Sequence, residues 1–367
     1  MKRKMEKNDF KAILRHFHLQ GTVQSVAAMG EGLINDTYKV ATKEGDAPDY
    51  VLQRINHHVF QDVELLQHNI EIVTHHIREK LQQLGELDVE RKVLCFIPTD
   101  SGKTWWRDET GNYWRVSVLI PRSHTRNEVT PVSAYQAGAA FGRFEQMLVD
   151  VKEPLGETIP DFHNMELRMT QLKDAVSTDA AGRLGEVGEE LNLIYLYEEE
   201  MCQAERLYRE GKLPKRICHC DTKVNNMLFD EDGNVLCVID LDTVMPSFVF
   251  SDYGDFLRTA ANSVAEDSPE LEKVQFRHDI FEAFTRGYLK STYQFLTPQE
   301  VNMLPFAVAL FPMMQAVRFL TDHLNGDTYY KTQYPEHNLV RTRNQLQLFR
   351  RVRENQERIT SYIDKWK

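Results

Sequence analysis

The segment that most constrains the fold of this chain is ICHCDTKVNNMLFDEDGNVLCVIDLDT, which begins at residue 217. It places Asn226 five residues after Asp221 in a polar stretch. The apolar run that follows has the composition of a buried strand and ends at Asp240. Before that run, the Asp-Gly pair at 232–233 is typical of a tight hairpin turn. The segment therefore predicts a polar loop followed by a β-hairpin that ends in a carboxylate.

The spacing of these polar residues is that of a kinase catalytic loop followed by a metal-binding aspartate. Asp221 is expected to accept a proton from an attacking hydroxyl, while Asn226 and Asp240 hold Mg²⁺ on the phosphates of ATP. His219 is expected to order the loop by hydrogen bonding. Asp242 points to the same side as Asp240 if the strand continues, where it could bind a second Mg²⁺, contact the substrate or cap the loop.

Three segments, HCDTKVNNMLFD, VIDLDTVMP and SDYGDFLRTAAN, resemble the aminoglycoside phosphotransferase and choline kinase-like family. Within it, they look like the N-acetylhexosamine 1-kinases, and GLINDTYKV and YVLQRINHHVF extend the resemblance over nearly the whole chain. The resemblance implies an α+β, two-lobed, protein-kinase-like fold. A small strand-rich N-lobe would span residues 1–121, and a large helical C-lobe would span 122–367. It also implies ATP with Mg²⁺ as donor and the anomeric hydroxyl of N-acetylglucosamine or N-acetylgalactosamine as acceptor.

The pattern of the first 121 residues agrees with such an N-lobe. Apolar residues recur at three- and four-residue spacing over 60–84, which predicts an amphipathic helix. A helix inserted after the third strand of an antiparallel sheet is the order found in the small lobe of a kinase. Alternation and turn residues predict the flanking strands at 22–29, 34–40, 50–55, 92–98 and 113–120.

The nucleotide-binding residues of a kinase N-lobe are only partly matched. Gly32 and Asn35 lie where a glycine-rich loop should cover the phosphates, but the third glycine of that motif is missing. The third strand should carry a lysine, and YVLQRIN offers Arg54 instead. An arginine can still bind a phosphate or a carboxylate bidentately. Glu64 and Glu71 share a helix face as candidate partners of Arg54, and their separation from it favours Glu71.

Beyond residue 122 the pattern becomes helical. Helices are predicted over 130–149 and 186–211, and the capping box TPQE starts another helix at residue 297. That helix continues through the apolar run FAVALFPMMQAVRFL. Asp252 and Asp255 lie at a helix start, and the resemblance suggests that one of them supports the catalytic loop.

The acceptor site is expected in the C-lobe. Arg318 and Asp322 lie near the end of the apolar helix, and tyrosines follow shortly after. By resemblance, Arg318 and Tyr329 would contact the sugar and its acetamido group, with Asp242 as a further substrate contact. The alternative is a helix-end arginine that pairs with Asp322.

Composition limits the class of partner. A chain of 367 residues is too long for one ordinary core and suits two unequal lobes. The net charge of -11 argues against nucleic acid or an anionic membrane as partner. The basic start is not followed by an apolar signal region, and five cysteines, an odd number, fit the reduced thiols of a cytoplasm. Neither composition nor pattern specifies the oligomeric state.

Two rival functions remain on the sequence alone. The first is a kinase of another small acceptor, such as an amino alcohol, choline or an aminoglycoside, whose positive charge needs an acidic or aromatic cage. The second is a non-catalytic nucleotide-binding regulator, which would have lost Asp221, Asn226 or Asp240, and all three are present. The lack of an Asp-Phe-Gly or Ala-Pro-Glu segment after the loop argues against a protein kinase.

Overall fold

The computed structural model describes residues 7–29 and 34–366 and has the mixed α+β fold expected from the sequence. Its strands are β1 (Val23–Ala28), β2 (Asp36–Thr42), β3 (Tyr50–Ile55), β4 (Trp105–Arg107), β5 (Tyr113–Val118), β6 (Arg216–Cys218), β7 (Met227–Phe229), β8 (Val235–Val238) and β9 (Met245–Ser247). Its α-helices are α1 (Lys7–Leu14), α2 (Val63–Gln83), α3 (Val89–Lys92), α4 (Pro131–Leu148), α5 (Met165–Thr178), α6 (Gly188–Met201), α7 (Gln203–Arg209), α8 (Val249–Ala260), α9 (His278–Thr292), α10 (Pro298–Leu324), α11 (His337–Glu354) and α12 (Gln356–Asp364).

The chain divides into two compact units. The first comprises Met1–Thr125, Asp150–Ile159 and Met227–Val244, and the second comprises Arg126–Val149, Pro160–Asn226 and Met245–Lys367. We call them the strand-rich unit and the helical unit. The lobe boundary at residue 121 inferred from the sequence stays a prediction.

An antiparallel sheet in the order β1-β2-β3-β5-β4 forms the centre of the strand-rich unit. Trp114, Tyr50 and Leu52 are buried in its core beside residues of α1. The long helix α2 follows β3, and its predicted apolar face is buried at Leu66, Ile70, Val73, Ile77 and Leu81. The predicted β-hairpin is confirmed, since β7 pairs with β8 and Gly233 takes a left-handed φ of 83° in the turn.

The strand predicted over 92–98 is wrong. Residues 89–92 form the short helix α3, and the rest contributes one bridge, from Phe96 to Ser117 of β5. The chain leaves the sheet at Pro98, which has no N–H to continue the ladder. The opposite end of β5 is paired instead with β4, a strand that is not among those predicted from the sequence.

Helices make up most of the helical unit, where α4 and α9 pack most closely. Gly138 and Gly287 make this approach possible, because a Cβ on Gly138 would lie 2.2 Å from the carbonyl oxygen of Phe284. A Cβ on Gly287 would lie 2.1 Å from the carbonyl oxygen of Tyr135 on the facing helix. The backbones of the two helices are therefore in direct contact.

Two further helical predictions have different outcomes. The predicted helix over 186–211 is interrupted at Cys202 and forms the separate helices α6 and α7. The capping box is confirmed, since Thr297 accepts the N–H of Glu300 and the Glu300 carboxylate accepts the N–H of Thr297. Helix α10, which it starts, runs unbroken through Pro305 and Pro312.

Helix α10 has the length and composition of a membrane span, the one such helix among residues 7–29 and 34–366. However, 89% of its most apolar window is buried inside the protein. It packs against α5, α8 and α11 of the same unit. Its apolar character is that of a core helix.

Candidate active site

Asp221 and Asn226 lie together in the loop that follows β6. The Asn226 amide nitrogen donates to the backbone oxygen of Asp221 at 2.7 Å and to its carboxylate at 3.2 Å. Lys223 forms an ion pair with the other carboxylate oxygen at 2.6 Å. Cys220 takes a left-handed φ of 62°, which turns the chain immediately before Asp221. The loop thus presents Asp221 as a half-buried carboxylate in a fixed orientation.

Two aspartates of α8 hold this loop by hydrogen bonds to its backbone and to Thr222. The two carboxylate oxygens of Asp252 accept the backbone N–H groups of His219 and Cys220, each at 2.7 Å. The Thr222 hydroxyl donates to the Asp252 backbone oxygen at 2.7 Å. Asp255 accepts the N–H of Thr222 at 3.1 Å. Support of the catalytic loop, expected of one of these aspartates, is shared by both.

Burial raises the pKa of Asp255 to about 6. The positive charge of Arg258 acts in the opposite direction, and the negative charge of Asp221 raises the pKa further. Arg258 lies 3.5 Å from the Asp255 carboxylate and 2.7 Å from that of Glu266. The catalytic loop is therefore coupled electrostatically to α8.

The residues predicted to bind the metal have suitable oxygens. The Asn226 amide donates through its nitrogen, and its oxygen has no hydrogen-bond donor within residues 7–29 and 34–366. Asp240 is exposed and opens a short 3₁₀ helix, Leu241–Thr243, from a left-handed conformation with φ of 60°. An amide oxygen and a carboxylate are the hard ligands that Mg²⁺ prefers. The donor set fits the predicted cation.

Arg54 and Glu71 do not pair, contrary to the sequence-based preference. Arg54 forms an ion pair with Asp36, which lies directly opposite it in the β2–β3 register. Glu71 accepts the Thr104 hydroxyl at 2.5 Å, and Glu64 pairs with Lys103 at 2.9 Å. The carboxylate that pairs with Arg54 therefore comes from the neighbouring strand and not from helix α2. Nucleotide binding by Arg54 and Glu71 stays a prediction.

Asp242 and Asn35 meet inside the strand-rich unit. The Asn35 amide donates to the Asp242 carboxylate at 2.6 Å and accepts the backbone N–H of Asn56 at 2.9 Å. Arg115 forms an ion pair with the other Asp242 oxygen at 2.5 Å, and both side chains are almost fully buried. Gly32, the remaining predicted nucleotide contact, lies outside the described residues. A substrate contact by Asp242 stays a prediction.

Arg115 was missed by the sequence reading. It lies within the apolar strand β5, where a charged residue must be paired to be buried. That isolated charge is the signal that could have revealed its buried ion pair with Asp242. Glu145, which is buried with the apolar residues of α4, was also missed from the sequence. Its charge within that apolar pattern is a signal of the same kind.

Arg318 lies among aromatic side chains of the helical unit. Its guanidinium is 5.3 Å from the centre of the Phe162 ring and 5.7 Å from that of Tyr330, and it donates to Gln315 at 3.2 Å. The alternative pairing with Asp322 does not form, because Asp322 accepts the backbone N–H groups of residues 328–330 and the amide of Asn338. Tyr329 is 65% exposed and stacks edge-on against Tyr330.

A second arginine lies beside the first. Arg168 donates to the backbone oxygens of Asp161 and Phe162, at 3.1 and 2.7 Å. Burial, reinforced by the charge of Arg318, lowers the pKa of Arg168 to about 10. Burial and the same two arginines hold the pKa of His163 well below its usual range, so its imidazole is neutral. We call Phe162, His163, Arg168, Arg318 and Tyr330 the arginine–aromatic cluster.

Comparison with known proteins decides the family. Residues 25–290 match the phosphotransferase enzyme family known as APH. This chain belongs to that family. The matched range contains the catalytic loop and the hairpin that follows it.

Solved phosphotransferases share the fold of this family member. An aminoglycoside phosphotransferase from Alicyclobacillus acidocaldarius superposes with a TM-score of 0.63 at 12% identity, over 100% of this chain and 98% of that one. Amicoumacin kinase hAmiN, in complex with AMP-PNP, Ca²⁺ and Ami, gives 0.57 at 14% identity, over 97% and 94%. A choline kinase from Cryptosporidium parvum gives 0.55 at 14% identity, over 96% and 97%. At these identities, the likeness establishes the fold alone.

Proposed function

We propose that this phosphotransferase transfers the γ-phosphoryl group of ATP to the anomeric hydroxyl of an N-acetylhexosamine, giving the sugar 1-phosphate. The resemblance of VIDLDTVMP and SDYGDFLRTAAN supports the sugar. The AMP-PNP and Ca²⁺ bound by amicoumacin kinase support a nucleotide with a divalent cation as donor. The single observation that carries the choice of acceptor is the arginine–aromatic cluster.

The cluster argues against a cationic acceptor. Among the described residues, neither Arg168 nor Arg318 contacts a carboxylate, and each raises the positive potential at the other. Choline or an aminoglycoside would bring a further positive charge, which is repelled in a half-buried site. A neutral acetamido sugar instead offers a carbonyl and hydroxyl oxygens that accept from a guanidinium. The surrounding rings supply an apolar surface for the face of the sugar.

In the proposed reaction, Asp221 orients the anomeric hydroxyl and takes its proton. The hydroxyl oxygen attacks the γ-phosphorus, the bond to the β–γ bridging oxygen breaks, and ADP leaves with the electron pair. Bound Mg²⁺, held by Asn226 and Asp240, would neutralise charge on the phosphate oxygens. Lys223 pairs with the Asp221 carboxylate at 2.6 Å and helps to orient it.

A sugar panel scored for ADP release tests the acceptor, and phosphorus NMR tests the position of transfer. N-acetylglucosamine or N-acetylgalactosamine should be consumed, whereas their methyl glycosides, which lack a free anomeric hydroxyl, should be inert. A 6-phosphate product, or turnover of a methyl glycoside, contradicts the anomeric assignment. Turnover of choline or an aminoglycoside, with no sugar consumed, contradicts the sugar assignment and leaves the family assignment intact.

Arg318→Met tests the cluster itself, because it removes the guanidinium and keeps the length of the side chain. It should raise KM for the sugar more than KM for ATP if Arg318 binds the ground state and the transition state alike. Arg350→Met is the matched control, since Arg350 is exposed and donates to Gln347. Equal effects of the two substitutions would remove Arg318 from the acceptor site.

A further inference from the structure

Glu145 is a buried acid to which the catalytic scheme gives no role. It lies on α4, is 2% exposed, and faces Asp252, the residue that holds the catalytic loop. One oxygen of Glu145, one oxygen of Asp252 and the sulfur of Cys218 lie within 4.8 Å of one another. Two carboxyl groups so close together cannot both be ionised away from water.

Of the four carboxyl oxygens of Glu145 and Asp252, one oxygen of Glu145 has no hydrogen-bond donor among the described residues. Both oxygens of Asp252 accept backbone N–H groups, and Oε2 of Glu145 accepts the Tyr288 hydroxyl at 2.7 Å. Oε1 of Glu145 is buried and has no donor among residues 7–29 and 34–366. An acceptor that faces another acceptor requires a proton between them.

We propose that Glu145 is a positioning residue that carries a proton in the folded protein and donates it to Asp252, so that Asp252 can hold the catalytic loop as a carboxylate. Asp252 can accept two backbone N–H groups strongly because it is the ionised member of the pair. Tyr288 fixes the other Glu145 oxygen, and the direct contact of α4 with α9 brings Tyr288 to Glu145. The chain of contacts runs from α9 through α4 and α8 to the loop that carries Asp221.

Two groups that can carry a positive charge act on the pair, Arg216 on Glu145 and His219 on Asp252. Arg216 is already ion-paired with Glu300 at 2.5 Å. Nδ1 of His219 accepts the backbone N–H of Asp221 at 3.3 Å. Cys218, the third member of the group, donates its S–H to the backbone oxygen of Arg216 at 3.6 Å, and burial raises its pKa well above the usual range.

Electrostatics agrees with this arrangement. Burial, followed by the charge of Asp252, raises the pKa of Glu145 well above its usual range. Burial also raises the pKa of Asp252, but the charge of His219, two backbone N–H groups and the hydrogen bond from Glu145 act in the opposite direction. The titratable and charged groups that face the pair come from α9, β6 and the loop after it, and α10: Tyr288, Arg216, Cys218, His219, Cys220 and Glu300.

Glu145→Gln tests the proposal, because glutamine has nearly the shape of a protonated glutamic acid and can still donate to Asp252. Its kcat at pH 7 should stay within about twofold of wild type, since the loop keeps its support. Asp252→Asn should lower kcat roughly 10²-fold, because asparagine has an NH₂ group where one of the two acceptor oxygens stands, and the loop shifts. Glu199→Gln, the same change at an exposed glutamate, is the matched control. A tenfold or greater loss of kcat in Glu145→Gln would overturn the proposal.

The pH dependence of stability separates proton donation from simple packing. The pKa of Glu145 is higher in the folded protein than in the unfolded chain. Wild type therefore loses stability as the pH rises from the pKa of the unfolded chain to that of the folded protein. Glutamine does not ionise. The stability of Glu145→Gln relative to wild type should therefore grow with pH, by up to about tenfold in the unfolding equilibrium constant per pH unit. A difference that is independent of pH from 5.5 to 9 would refute the proposal.

Infrared spectroscopy keeps the proposal testable even if a variant fails to fold. At pH 8, wild type should show the C=O stretch of a protonated carboxylic acid, and Glu145→Gln should lack it. Asp255, whose pKa is about 6, is ionised at this pH and does not contribute. Absence of the band in wild type would show that Glu145 carries no proton.

Discussion

Arg115 and Asp242 form an ion pair at 2.5 Å within the strand-rich unit, with 3% and 4% of their side chains exposed. The guanidinium also donates to Gln53 at 2.9 Å and to Gln67 at 3.1 Å. Asn35 donates to the other carboxylate oxygen of Asp242 at 2.6 Å. The pair therefore joins β5, β3 and α2 to the segment that follows Asp240.

Removing one member of this ion pair should destabilise the folded protein. Arg115→Met leaves a buried carboxylate without a counter-charge and should lower the free energy of unfolding by about 3–5 kcal/mol. Urea denaturation of the variant measures the loss. The double variant Arg115→Met/Asp242→Asn should recover part of it, because no uncompensated charge remains. If the double variant is no more stable than the single one, the cost does not come from the unpaired charge.

Asp221→Asn should lower kcat by at least ~10²-fold, the scale of losing a general base. Folding and nucleotide binding should be nearly unchanged, because asparagine keeps the shape of the side chain. Steady-state kinetics and calorimetry with ATP measure the two effects. Asn225→Ala, at the exposed neighbouring position, is the control. Turnover above a tenth of wild type would exclude Asp221 as the base.

Asp240→Ala should abolish Mg²⁺-dependent ATP binding, because Asn226 alone brings no negative charge to a hard cation. Calorimetric titration with ATP in the presence and absence of Mg²⁺ separates the cation-dependent part. Asp232→Ala removes an exposed aspartate from the hairpin turn and should bind as wild type does. Undiminished Mg·ATP affinity in Asp240→Ala would disprove the assignment.

Asp255 should make stability depend on pH in the acid range. Its pKa is raised from 3.8 to about 6 on folding, so the stability that its protonated form confers is present below pH 4 and lost as the pH rises to 6. The loss is at most on the order of 3 kcal/mol. Asp255→Asn should flatten this part of the stability curve, measured by urea denaturation from pH 4 to 7. An unchanged slope contradicts the raised pKa.

Gly138→Ala should separate α4 from α9, because the added methyl group meets backbone atoms that cannot rotate away. We expect a loss of about 1–3 kcal/mol or more, as for an overpacked core. The matched control is Gly185→Ala, where a Cβ would meet nothing within 4 Å. Equal stability of the two variants would show that the helices can move apart freely.

The loop of Asp221 and Asn226 and the hairpin after it are the parts of the fold that the sequence predicts best. The spacing of Asp221 and Asn226 reflects a local loop geometry, and the turn at Gly233 and the apolar strand after it are also local patterns. Helix α2 was readable because its buried face repeats with the helical period. These features depend on neighbours in the chain.

Partners distant in the chain could not be read in the same way. Arg54 was assigned to a helix glutamate, but sheet register places Asp36 opposite it. Arg115 and Asp242 are separated by more than a hundred residues, as are Glu145 and Tyr288. Such pairs depend on how elements pack, which no local period encodes. A charged residue in an apolar pattern was nevertheless a usable signal at both Arg115 and Glu145.

Helix α10 has a consequence for the unfolded chain. The apolar side chains of α10 are buried only while the helical unit is folded. Heat unfolding therefore exposes a continuous segment of 27 residues with few charges. Segments of this kind associate with one another faster than they refold. Heat denaturation of this protein should therefore end in precipitate, and its yield on recombinant expression should improve when synthesis is slowed by cooling.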